Sequence, residues 1–136
     1  MQRNQREKLL RLRRPEVTAF LELHPDLLWV DQSERESYLE AGRTLVALAE
    51  AEKDRCSRKR TLLSLAKLHL LLEEKLGPDP EVIRSEVDQV DAELQLLLHQ
   101  EQLPLAVLQA YGLDPDTMRV LTPEELIEVL LFITKF

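Results

Sequence analysis

Apolar positions recur every three or four residues along most of this chain, and that spacing predicts helices rather than strands. The pattern is sharpest between residues 60 and 103. Leu62, Leu65, His69, Leu72 and Leu76 alternate in steps of three and four, and so do Ile83, Val87, Val90, Leu94 and Leu97, so each set reads as a heptad seam. A stop and a start separate them. Gly77-Pro78 ends a helix, with glycine expected in the left-handed C′ conformation and proline unable to continue the ladder. Asp79-Pro80-Glu81 begins one, with an N-cap carboxylate, proline at the first position and an acid on the positive end of the dipole. A link this short makes neighbours of its two helices. Residues 60–76 and 80–102 are therefore expected to form an antiparallel hairpin turning at 77–79.

Upstream, Pro15 interrupts the chain, and Val17, Phe20, Leu21 and His24 suggest a short helix before His24-Pro25-Asp26. Trp29 follows in the apolar run 27–30 and reads as a core anchor rather than a binding hot spot. Ser33 with Glu36 has the form of a capping box, and no Gly–Pro stop intervenes before Gly77. An unbroken helix over 33–76 would run about 64 Å. Gly42 inside it suggests close approach by another backbone. Residues 50–61 are nearly all polar, so the helix either bends there or crosses solvent as a thin stalk.

Downstream, Pro104 breaks the chain, Leu105, Leu108 and Tyr111 suggest two helical turns, and Gly112 stops them. Thr122-Pro123-Glu124-Glu125 is the strongest start, combining a capping box, proline at the first position and two acids in the first turn. The helix it opens, through Phe136, is expected to close the core rather than serve as a docking peptide. These readings give one all-helical domain over 1–136, a helical bundle built on a long coiled-coil-like hairpin. A basic arm at 1–14, the long helix at 33–76, its partner at 80–102 and short closing helices at 104–136 compose it.

The hairpin carries more apolar surface than two helices can hide. From Leu62 to Leu72 only Ser64, Lys67 and His69 are polar, and from Leu94 to Leu98 only Gln95 is. A helix apolar all round must be covered on several sides, so a third element is required. A stalk at 50–61 would keep the terminal elements away from the hairpin. A second copy then becomes the favoured cover, because about 600 Å² of apolar burial is worth roughly 15 kcal/mol before association costs.

Composition narrows the class. Thirty leucines against three glycines and six aromatics favour long helices over sheets. No apolar run is long enough to span a bilayer, and the N-terminus lacks the apolar centre of a secretory signal. A single cysteine forms no internal disulfide, which fits a reducing, cytoplasmic setting. The arm at 1–14 holds six basic residues and one acid, leaving a formal charge of −12 on the other 122 residues. That balance, with no aromatics between the arginines, argues against nucleic acid as a partner.

Candidate chemistry is sparse. His24, His69, His99 and Cys56 lack metal-ligand spacing. Antiparallel counting places Asp88 beside His69, a pair better read as a satisfied core histidine than as a catalytic dyad. Cys56 lies among Lys53, Arg55, Arg58, Lys59 and Arg60, which would favour thiolate, although an unreactive thiol is the plainer reading. Eight acids against Lys75 and Arg84 over 73–93 form a negative hairpin tip, suited to solvation or to a basic partner.

The sequence thus reads as a non-enzymatic interaction or scaffold module with protein partners, self-associating as a homodimer. No cofactor, metal, small-molecule substrate or membrane is expected. The alternatives are a small acidic chaperone holding a helical client segment, and, less favoured, a nucleic-acid-associated protein using the arm. Interaction residues are expected at Leu62, Leu65, Leu70, Leu72, Val87, Val90, Leu94, Leu97, Leu130 and Phe132.

Overall fold

A computed structural model describes residues 20, 21 and 23–134. Among them it has no strand and six numbered helices: α1 (Pro25–Glu34), α2 (Tyr38–Ala51), α3 (Cys56–Leu76), α4 (Pro80–Glu101), α5 (Leu105–Ala110) and α6 (Pro123–Thr134). The basic arm at 1–14 and the Pro15 break lie outside the described residues.

The helix expected over 33–76 is instead three helices with two reversals. The first comes at Arg35–Ser37. Ser33 caps nothing; it lies in the last turn of α1, and the chain turns on Glu36, whose φ of 60° is left-handed. The Glu36 N–H bonds to Ser33 O at 3.0 Å and the Ser37 N–H to Gln32 O at 2.8 Å. This is a Schellman ending with glutamate in the place glycine normally takes.

The second reversal, at 52–55, contains neither glycine nor proline. Its backbone is extended at Glu52 and Arg55, and long-range bonds replace the helical ones. The Cys56 N–H bonds to Met118 O at 2.9 Å, and Lys53 O accepts from the Val120 N–H at 3.0 Å. The Glu52 carboxylate also receives the Arg55 N–H at 3.0 Å, holding the start of α3. A partner segment more than sixty residues away decides this break, which local propensity does not contain.

These turns lay α1 on α2 and α2 on α3, while α3 also packs along α4. Residues 50–61 are therefore no stalk, and α2 is the third element that the apolar excess demands. The argument for a dimer closed by a second hairpin loses its premise. At the α2–α3 crossing, Ala41, Leu45 and Ala49 face a stripe of Leu63, Ala66 and Leu70, all buried. Gly42 sits where a Cβ would come within 3.0 Å of Leu70 and 3.5 Å of Ala66 O, which is the close approach its position suggests.

Three ion pairs step along α3 and α4 in opposite senses: Arg60–Glu101 at 2.7 Å, Lys67–Asp91 at 2.6 Å and Glu74–Arg84 at 3.7 Å. Pairs this exposed are worth about 0–1 kcal/mol each, so they mark register more than they add stability. The link between these helices departs from its expected geometry. Gly77 is extended at φ −90° and ψ 173°, not left-handed, and its glycine is needed because a Cβ would lie 2.7 Å from Glu73 O.

The C-terminal part is anchored by one buried amide. Gln100 donates from Nε2 to Arg119 O at 2.7 Å and accepts the Leu121 N–H on Oε1 at 2.9 Å. Segment 118–121 is thereby stitched to the end of α4 and to the 52–56 turn together. Met118, Leu121, Leu126 and Val129 then join the cluster of Leu63, Val87, Val90 and Leu97.

Candidate protein-interaction surface

The start of α6 is fixed tightly. The Glu125 N–H donates to Thr122 Oγ1 and the Thr122 N–H donates to a Glu125 carboxylate oxygen, both at 3.1 Å, a reciprocal capping box. Arg119 adds two hydrogen bonds to the same carboxylate at 2.9 and 2.5 Å. The Arg119 guanidinium first, with the Thr122 backbone N–H after it, pulls the Glu125 carboxyl down to about 2. With its first turn held, α6 presents two different faces. Leu126 and Val129 point into the core, and Ile133 packs partly against it. On the other side Ile127 and Leu131 are each 57% exposed and Leu130 43%.

Neighbouring elements extend that outer face. Leu105 and Tyr111 are exposed on and just after α5, and Tyr111 meets Phe132 edge to face with ring centroids 5.7 Å apart. A cavity of about 310 Å³ between α5 and α6 is lined by Ala106, Val107, Ala110, Phe132 and Ile133, with no charged side chain. Contiguous apolar surface of this kind, on helices otherwise closed over their core, marks protein contact sites.

The ten residues expected at an interface do not stay together. Leu70, Val87, Val90 and Leu97 belong to the intramolecular core, because α2 and the C-terminal segment take the place expected of a second copy. Leu62, Leu65 and Leu94 are half-buried. Leu72 is exposed near the far end of α3, together with Leu68, Leu76 and Val82. Only Leu130 and Phe132 lie on the α6 face. Sequence reasoning missed Leu105, Ile127 and Leu131 there, although Leu126, Val129, Leu130 and Ile133 fill one helical stripe and leave Ile127 and Leu131 off it.

The candidate chemical groups have structural partners. His69 is buried, with Nδ1 2.7 Å from Leu65 O and Nε2 2.9 Å from Ser33 Oγ. The carbonyl only accepts, so Nδ1 carries a proton, and the Ser33 hydroxyl meets the ring at Nε2. Trp29, expected as a core anchor, is half-buried outside the core cluster and stands edge-on to the imidazole at 5.9 Å. Asp88 is not beside His69; it pairs at 3.4 Å with Arg84 on its own helix. Cys56 is buried, and desolvation, with Glu101 adding to it, pushes its thiol up to about 11 against the opposing pull of Arg60 and Lys59. The surrounding cations therefore do not make a thiolate. Among the described residues, no three His, Cys, Asp or Glu side chains are grouped to hold a metal, and no helix is long and apolar enough to cross a membrane.

Comparison with known proteins supplies the context these surfaces lack. Residues 1–134 match the family described as the non-repetitive/WGA-negative nucleoporin C-terminal. The nuclear pore complex protein Nup133 of Danio rerio is 35% identical over 132 residues, covering 95% of this chain and 11% of that protein. Its Drosophila melanogaster counterpart is 31% identical over 113 residues, covering 83% and 9%. The Homo sapiens protein is 30% identical over 112 residues, covering 82% and 9%. The chain thus spans about a tenth of the length of these relatives. They are nuclear pore complex proteins, which overturns the expectation of a cytoplasmic protein drawn from a lone cysteine. A helical fold and a family match over nearly the whole chain lead to one conclusion: this chain belongs to the non-repetitive/WGA-negative nucleoporin C-terminal family.

Proposed function

We propose that this chain is a non-enzymatic scaffold module that joins other proteins within a nuclear pore assembly. The observation that carries the reading is the outer face of α6, where Ile127, Leu130 and Leu131 stay exposed next to the apolar cavity against α5. In this reading α3 and α4 are the spine, an antiparallel hairpin with coiled-coil character whose register follows the ladder of ion pairs. α2 locks the spine on one side. The segment at 118–121 sets the direction in which α6 presents Ile127, Leu130 and Leu131, with Phe132 beside them. A partner helix laid along that face buries these side chains at about 1.5–3 kcal/mol each. Structural proteins of this kind hold partners by shape and apolar contact, so no turnover is involved.

The test is localisation of a fluorescently tagged chain in cells, with the double substitution Ile127→Glu, Leu130→Glu as its control. The wild-type chain is expected at the nuclear rim, and the variant, with an unchanged melting temperature, is expected to be diffuse. Rim signal equal in both would remove the α6 face from the account, and a diffuse wild-type chain would remove the pore scaffold itself.

A further inference from the structure

A second surface has a different character. Arg43, Val46 and Glu50 lie along one stripe of α2, and Glu86, Val90 and Glu93 along one stripe of α4, with Leu70 of α3 beneath both. The stripes border a cavity of about 110 Å³, several times what one water molecule needs. Its floor is apolar, made by Val46, Leu70 and Val90. One end is closed by Arg43, whose Nε and Nη2 bond the Glu86 carboxylate at 2.8 and 3.2 Å. That pair is satisfied within itself. Glu50 is exposed and Glu93 half-buried: among the described residues neither carboxylate has a salt bridge, Lys59 borders both on the side away from this cavity, and Glu93 Oε2 is shielded from solvent with no hydrogen-bond partner among those residues.

A shielded carboxylate oxygen without a donor has lost its water and gained nothing in exchange until a donor arrives. The acids and the apolar floor together specify what would fill the cavity. An acidic or uncharged segment leaves Glu50 and Glu93 as they are. A lone cation gains nothing from Val46 and Val90. A lysine or arginine satisfies both, because its methylene stem lies on apolar surface while its head donates to carboxylates.

We propose that the α2–α4 groove is a docking site for a basic segment of a partner protein. Its Lys or Arg side chain lies between Glu50 and Glu93, and an apolar neighbour rests on Val46 and Val90. The inference deepens the scaffold reading and rests on it, but uses a surface separate from α6. Charge complementarity sets both the orientation of the segment and the salt dependence of the contact.

The test is titration of the purified chain with two synthetic amphipathic peptides of equal length, one carrying leucine and arginine, the other leucine and glutamate. The arginine peptide is expected to bind, to weaken about tenfold or more on Glu50→Gln, Glu93→Gln, and to weaken again at high salt. The glutamate peptide is expected not to bind. Glu93→Gln removes a shielded charge that no donor meets, so the variant is expected to melt at or above the wild type, which a thermal scan checks. Equal affinity of both peptides, or no loss in a folded Glu50→Gln, Glu93→Gln variant, overturns the site. Stronger binding after deletion of residues 1–14 names the chain's own arm as the occupant and overturns the partner. Loss on Ile127→Glu, Leu130→Glu instead places the peptide on α6, which overturns the groove and leaves the scaffold reading intact.

Discussion

The α2–α3 crossing and helix α6 are both rich in leucine and end in opposite states. At the crossing, small residues on α2 let two helices approach until Leu45, Leu63 and Leu70 are sealed. On α6 the stripe of Leu126, Val129 and Ile133 packs on the core, and Ile127 and Leu130 stay exposed. Leucine content does not separate these cases. Small residues on the neighbouring helix do, and exposed apolar side chains are where this molecule has affinity to spare.

Paired substitutions sharpen the contrast. Leu70→Ala is expected to cost about 2–5 kcal/mol, because it opens a cavity between three helices. Leu130→Ala is expected to change stability by less than about 0.5 kcal/mol. Urea unfolding of both variants decides it, and equal losses would erase the distinction between the two regions.

The joint between the regions is the next point to break. Gln100→Ala leaves Arg119 O and the Leu121 N–H without the partners they have now, at about 1–3 kcal/mol. Hydrogen exchange is expected to quicken in α6 before α3. Uniform loss of protection would mean that α6 is not hung on this amide.

Two Schellman turns give a smaller, opposite pair. Gly112 takes φ +70° after α5 with open space around it, as the sequence leads one to expect, whereas Glu36 takes φ 60° after α1. Glu36→Gly is expected to stabilise by about 0.5–1 kcal/mol, and Gly112→Ala to destabilise by about 1–2 kcal/mol. Melting temperatures moving in the same direction would contradict the shared geometry.

The smallest effect is on acid stability. Glu125 titrates at about 2 in the folded chain against an ordinary 4.5, because Arg119 and the Thr122 N–H favour its charged form. A lowered folded value means that its contribution is complete above 4.5 and fades as pH falls toward 2. Glu125→Gln is therefore expected to melt closer to wild type at pH 2.5 than at pH 7. A gap independent of pH would show that the carboxylate does not hold the cap.

What the sequence revealed was local. All-helical structure, the close approach at Gly42 and the capping box at Thr122 follow from spacing and cap chemistry within a few residues. The demand for a third covering element was legible too, but not its identity, because nothing in EKDR at 52–55 breaks a helix until residues 118 and 120 bond to it. The stripe on α3 was misread for the same reason. Heptad counting selected Leu72 and Leu76, yet Leu76 is 68% exposed, and the buried stripe passes through Leu63, Ala66 and Leu70, where α2 crosses. Ser33 has the sequence of a cap and the structure of a histidine partner. At the interaction surface, the apolar excess of α6 was visible, but which half of it stays open depends on Gln100 and the segment it holds.

Site-specific photocross-linking in cells tests the central claim most directly. A photoreactive residue replaces Leu130 in one form of the tagged chain and Leu76, at the far end of α3, in another. The account predicts a cross-link from position 130 to a second nuclear pore protein, identified by mass spectrometry, and a much weaker one from position 76. Cross-links from position 76 alone would place the contact at the end of the hairpin and contradict the assignment of α6 as the docking face.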